Sequence, residues 1–192
     1  SILAIAPALK NGMISTDNII INATSGVSGA GRRSELPYSY CESDENFKAY
    51  GIISHRHTPE IEQELSLIAG KNVEVSFTPH LAPMKRGMLA TIYLNLTKPI
   101  PYDHIMEAYR EFYKNEPFVR ILPPGTLPET RFVTGSNRID ISVNLDERFN
   151  RLIVLSAIDN MGKGSAGQAV QALNIMAGFD EIEGLSAAGI YL

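Results

Sequence analysis

His55 and His57, in the stretch SHRHTPEIEQEL (residues 54–65), are the side chains most able to do chemistry in this chain of four histidines. They flank Arg56 and run directly into a helix-start pattern, with Thr58 as N-cap, Pro59 at the first helical position and Glu60 beside the positive helix end. If residues 50–57 stay extended, both imidazoles share one face and Arg56 takes the other. A neutral imidazole is what a general base needs, and His57 at the helix mouth is the first choice, with His55 able to exchange roles. Glu60, one turn into the helix, is placed to orient a histidine. The competing use is metal: His-x-His with His80, in FTPHLAP, is a three-imidazole zinc set. Arg56 opposes it with positive charge and no second spaced ligand cluster exists, so no metal is expected.

Two glycine-rich segments follow apolar runs. In NIIINATSGVSGAGR (18–32) the glycines Gly26, Gly29 and Gly31 give G-x-x-G-x-G. A dinucleotide fingerprint needs a helix next, yet RRSELPYSYCES contains Pro37 and has no helical period, so that reading fails. What remains is a connection, or a loop whose backbone approaches a ligand while Arg32 or Arg33 meets an anion. DNMGKGSAGQAVQALNIM (159–176) frees the backbone with Gly162, Gly164 and Gly167 ahead of a helix, and Lys163 adds charge. Cys41 sits among acids in YSYCESDE, which disfavours a thiolate, so it reads as an incidental thiol.

The elements that must position these residues alternate between strand and helix patterns. Helices are expected over 1–10, from Thr58 to Gly70 (apolar Ile61, Leu65, Ile68), over about 103–114 (Ile105, Tyr109, Phe112) and through SAGQAVQALNIMAGF. Strands are expected at 18–24, 50–54, 73–79, 89–96 and 118–122, with 138–145 and 151–158 as a hairpin. Residues 34–49 read as polar and irregular. Strands outnumber helices, and the fold class is α+β: a mixed, largely antiparallel sheet with helices on one face.

Composition narrows the function. The 192 residues, 44% hydrophobic, carry one sizeable core, and a net charge of −4 makes nucleic acid a poor partner. A single cysteine permits no internal disulfide and fits a reducing cytoplasm. No apolar run approaches the roughly 18 residues of a membrane span, and the first residues lack the basic start of a signal peptide.

Four segments, SGVSGAGR, SHRHTPEIEQEL, FTPHLAPMKRGMLATIY and GKGSAGQAVQALNIMAGFDE, together resemble the N-acetyl-gamma-glutamyl-phosphate reductases, relatives of the aspartate-semialdehyde and glyceraldehyde-phosphate dehydrogenases. The resemblance runs from Ser1 to Leu192. It implies the C-terminal domain of the glyceraldehyde-phosphate dehydrogenase-like fold: 1–160 as catalytic and oligomerisation domain (1–12 its first helix) and 161–192 as a C-terminal helix packing on a nucleotide-binding domain. It also implies NADPH-dependent reduction of an acyl phosphate to an aldehyde in cytoplasmic arginine biosynthesis, by a homo-oligomer. The family nucleophile is a cysteine just ahead of SILAIAPALKNGMI-like sequence, so nucleophile and nucleotide domain would precede Ser1, leaving this chain alone inactive. Matched by position, His57 and His55 with Glu60 are the acid/base group. Ser25, Ser28, Gly29, Arg32, His80, Lys85 and Arg86 edge the substrate, and Asn160, Gly162, Lys163 and Gly164 meet NADP. Rival readings are a metallohydrolase built on His55, His57 and His80, and a non-catalytic assembly domain.

Overall fold

A computed structural model of the chain describes residues 1–31 and 35–190. Seven strands form one sheet in the order β2-β3-β1-β4-β7-β6-β5: β1 (Ile19–Gly26), β2 (Lys48–Ala49), β3 (Val75–Ala82), β4 (Met88–Asn95), β5 (Val119–Ile121), β6 (Ile139–Asp146) and β7 (Arg151–Ile158). The pairs β1–β3 and β5–β6 are parallel and the others antiparallel, the expected mixed, largely antiparallel sheet.

Alternation sends one side chain in two to each face. Register aligns Ile21 with Ile92, Ile92 with Val154 and Val154 with Val143, making one buried row across four strands. Against this face pack α1 (Ile2–Lys10), α3 (Thr58–Ala69) and α4 (Tyr102–Phe112) through Ile5, Leu9, Leu65, Ile105 and Tyr109; α2 (Tyr40–Ser43) is a single turn and α5 (Gly167–Ala177) follows β7. Helices of this length are marginal alone in water and take their stability from such packing. In α4, Phe112 is exposed and Met106 and Tyr113 take the buried places instead. The sheet's second face is half-exposed, and its rows include Ile20, Tyr93 and Ile153.

Two expectations fail near the histidines. Residues 50–54 are not a strand: Gly51 and Ile53 both have left-handed backbone, φ 56° and 67°, and only the Tyr50 N–H reaches β3, at the Pro79 carbonyl 3.1 Å away. The run turns beyond β2 although a left-handed β-branched residue such as Ile53 is costly. The helix also begins one residue earlier than its cap pattern predicts. His57 is the N-cap and Thr58 is already helical, with its hydroxyl unpartnered.

Candidate active site

The turn, not a strand, brings the imidazoles together. Glu62 Oε1 accepts the Val75 N–H at 3.1 Å and Ser66 Oγ accepts the Val73 N–H at 2.9 Å, which ties α3 to the start of β3. There the His55 ring lies 5.0 Å from His57, 5.1 Å from Phe77 and 5.5 Å from Tyr50, centroid to centroid. The His57 backbone N–H donates to His55 Nδ1 at 3.3 Å, so a neutral His55 carries its proton on Nε2. Burial, and then the charges of His57 and Arg56, hold the His55 imidazole below its ordinary pKa and favour that neutral form. A cavity of about 700 Å³ opens beside it, walled by Ile52, His55, Arg56, Thr58, Glu62 and Phe77. Glu60 is exposed and, among the described residues, bonds to neither imidazole. His80 points to the opposite face of β3 from Phe77 and stacks on Phe47 at 5.3 Å, away from the pair. Among the described residues no group of three or more His, Cys, Asp or Glu is placed to hold a metal, so the His55–His57–His80 set does not form.

A second cluster forms where β1, β3 and β7 end and β4 and β6 begin. The loop after β1 is zipped to the one before β4: Gly26 N–H donates to Gly87 O at 2.9 Å, Val27 N–H to Met84 O at 2.9 Å and Ser28 N–H to Lys85 O at 3.2 Å. Gly26 has to be glycine, since a Cβ would fall 2.9 Å from the Lys85 and Arg86 backbone. Asn160 ties in β7: its Oδ1 accepts the Gly87 N–H at 2.8 Å and its Nδ2 donates to Ser28 Oγ at 2.9 Å. Ser25 Oγ lies against Gly29, 3.2 Å from where a Cβ would stand. Ser25, Ser28, Gly29, Arg86 and Asn160 thus converge, with Lys85 exposed beside them.

The imidazoles and this cluster are not in contact. Phe77 pairs with Ile21 and Ala82 with Gly26, five residues further along the parallel strands, a separation of roughly 16 Å. Arg32 lies outside the described residues. The segment expected to meet a cofactor turns inward: Lys163 is buried and donates to Gln171 Oε1 at 2.6 Å with its ammonium 5.4 Å from the Phe118 ring centroid, and a Cβ on Gly162 would fall 2.5 Å from the Ser136 carbonyl oxygen. Burial holds the Lys163 pKa below its ordinary value, against the opposing pull of Glu181 and Glu116. Gly164 is exposed.

Sequence reasoning passed over Asp159. Its side chain is enclosed and takes hydrogen bonds from the Gly135, Met161 and Gly162 amides and from Arg86. Burial pushes the carboxyl up, but these donors outweigh it and the net pKa lies below the usual carboxylate value. The available signal was an acid at the end of an apolar strand just ahead of Asn-Met-Gly, a helix-cap pattern.

Residues 1–160 match the family model described as semialdehyde dehydrogenase, dimerisation domain. The chain belongs to this family. Within the semialdehyde dehydrogenase dimerisation domains its relatives include an N-acetyl-gamma-glutamyl-phosphate reductase of Acetivibrio thermocellus, 63% identical over 192 residues, all of this chain and 56% of that protein. Proteins of the same name from Pelotomaculum thermopropionicum and Desulforamulus reducens are 53% and 56% identical, over 55% of their lengths. The chain therefore spans about half the length of the curated relatives it matches. Aspartate semialdehyde dehydrogenase II of Vibrio cholerae superposes with a TM-score of 0.71 at 16% identity, over 92% of this chain and 58% of that one, and the Francisella tularensis enzyme with 0.68 over 91% and 61%. At such identity these two show the fold alone, that of a semialdehyde dehydrogenase dimerisation domain.

Proposed function

We propose that this chain is the acid/base and substrate-holding part of an NADP-dependent reductase that converts an N-acyl-γ-glutamyl phosphate to the semialdehyde, a cytoplasmic step of arginine biosynthesis. The observation that carries the reading is the His55–His57 pair, with His55 on the wall of the cavity beside α3, in a chain 63% identical throughout to a reductase of that name. The two rings are set for different work. His55, with Nδ1 occupied, offers an Nε2–H donor to a carbonyl or departing oxygen, and His57, exposed at the helix mouth, is free to take a proton. The nucleophile of the reading is a cysteine thiolate from outside these residues, because Cys41 is exposed on α2 and no contact ties it to the imidazoles. The second cluster holds the substrate's polar end through Ser25, Ser28 and Arg86.

Asn160, Gly162 and Lys163 are committed inward, so this segment does not by itself fit a dinucleotide. NADP belongs to the reading as a cofactor held elsewhere in the enzyme. Leu173, Met176 and Phe179, exposed on and after α5, support residues 161–192 as a surface on which a nucleotide-binding domain packs. The half-exposed second face of the sheet supports self-association.

The test is a chimera in which residues 1–192 replace their counterpart in the A. thermocellus reductase, assayed by NADPH oxidation with N-acetyl-γ-glutamyl phosphate. Turnover is expected, and His55→Ala and His57→Ala should each slow it, by roughly 10²–10⁴-fold for loss of an acid/base group. Full rate in both variants would remove the assignment.

A further inference from the structure

The Asp159 carboxylate is enclosed, yet the cation bonded to it is not: the Arg86 side chain stays 40% accessible while Asp159 is at 0%. Oδ1 accepts Met161 N–H at 2.8 Å, Gly162 N–H at 3.1 Å and Arg86 Nε–H at 3.2 Å; Oδ2 accepts Gly135 N–H at 2.6 Å and Arg86 Nη2–H at 2.5 Å. Three backbone amides also donate to the carboxylate, so its lone pairs are satisfied without the second edge of the guanidinium. An arginine has five N–H donors. Two are fixed on Asp159, and among the described residues no other acceptor takes the remaining ones. A guanidinium held by one edge cannot swing, which removes the ordering cost of binding with the other.

The zipped segments TSGVSGAG (24–31) and APMKRGML (82–89) contain Lys85 and Arg86 and no Asp or Glu. Ser28, next to Arg86 in that zipper, carries the hydroxyl that accepts from Asn160 and keeps its own proton for a further acceptor. A local excess of cations around a loop with exposed donors attracts anions.

We propose that Asp159 is a positioning residue whose carboxylate clamps Arg86, so that the uncommitted edge of the guanidinium binds an oxyanion of the substrate, its phosphoryl group or a carboxylate. The clamp itself stands on geometry; the identity of the substrate rests on the function proposed above.

The test has two arms. Inorganic phosphate and N-acetylglutamate, which has carboxylates but no phosphoryl group, are titrated separately into the 192-residue chain, read by thermal unfolding and by the Arg86 Nε–H resonance. Phosphate should raise the melting temperature and shift that resonance if the phosphoryl group is the ligand; N-acetylglutamate should do so if a carboxylate is. Arg86→Ala should abolish the response, and Arg86→Lys should keep part of it as a point charge without the planar fork. Asp159→Asn should weaken binding on the order of 10-fold, and adding it to Arg86→Ala should cost nothing further, because the two act as a unit. In the chimera, both single variants should raise KM for the acyl phosphate on the order of 10-fold with a smaller change in kcat. Should Asp159→Asn fail to fold, the Arg86 variants and the Nε–H resonance decide, since an unclamped guanidinium gives no exchange-protected signal.

No response to either anion, or one that survives Arg86→Ala, overturns the inference. A chimera that turns over with KM unchanged in both variants overturns it and leaves the proposed function standing. Phosphate binding through Arg86 in a chain whose chimera has no turnover does the reverse.

Discussion

The Tyr113 hydroxyl donates to the Leu3 carbonyl at 2.5 Å, and that carbonyl is the acceptor that Pro7 leaves vacant. In an α-helix the Leu3 oxygen would accept the N–H of residue 7, which proline lacks. α4 supplies the missing donor from across the core, and Tyr109 adds a second bond to the Ala4 carbonyl at 2.8 Å. Tyr113→Phe should therefore destabilise the fold by about 1–3 kcal/mol, the cost of an unsatisfied buried carbonyl. Pro7→Ala restores the helical N–H and should recover much of that loss in the Tyr113→Phe background. Urea unfolding of the four variants checks it; an additive pair would show that the hydroxyl does not replace the proline's missing donor.

Acid should weaken the fold through His55. Burial, His57 and Arg56 disfavour its imidazolium in the folded state, below the ordinary value of 6.5. As pH falls below that value the unfolded chain binds the proton first, so the unfolded state holds more protons and stability falls with pH. The loss continues down to the folded pKa and then levels off. His55→Gln should flatten the slope of unfolding free energy between pH 7 and pH 5, measured by denaturant titration at about half-unit steps; an unchanged slope would place the proton uptake elsewhere.

Gly162→Ala should disturb the Asp159 hub. The new Cβ would fall 2.5 Å from the Ser136 carbonyl oxygen, a backbone atom that cannot rotate aside. The π-helical turn Gly162–Ala166 has to move, and the Met161 and Gly162 amides move with it off Asp159. A cost of about 1–3 kcal/mol is expected for such overpacking. Gly164→Ala, whose Cβ would meet the Asp159 carbonyl and Ile158 at 3.3 Å, should cost less in the same thermal melts.

What the sequence disclosed follows from which interactions are local. β4, β6 and β7 were legible because alternation is written in neighbouring residues, and α3 because Pro59 and Gly70 punctuate it, Gly70 taking the left-handed C-cap at φ 67°. The turn at 50–54 was not, because IISHRH has strand propensity while the His55 ring contacts with Tyr50 and Phe77 belong to the bent form. Ser25, Ser28, Arg86 and Asn160 were named from separate motifs, and the structure brings them together. The inward place of Lys163 was not legible, because charge suggests exposure, whereas Gln171, eight residues on, gives the ammonium a partner inside. Asp159 escaped notice because its bonds to Arg86 and Gly135 span 73 and 24 residues.

The second face of the sheet offers the last prediction. Ile20 aligns with Tyr93 and Tyr93 with Ile153 along one half-exposed row, and Leu155 aligns with Thr91 in the next. An apolar band on a half-exposed sheet face suits a self-complementary two-fold interface, and the family's description as a dimerisation domain agrees with that use. Lysine at the centre of such a band would bring two like charges together across the two-fold axis in a desolvated contact. On the self-association proposed above the chain should sediment as a dimer and its Ile153→Lys variant as a monomer, with far-ultraviolet circular dichroism unchanged, because Ile153 faces away from the row that holds Ile92 and Val154. A dimer that survives the lysine would show that the subunits meet through another surface.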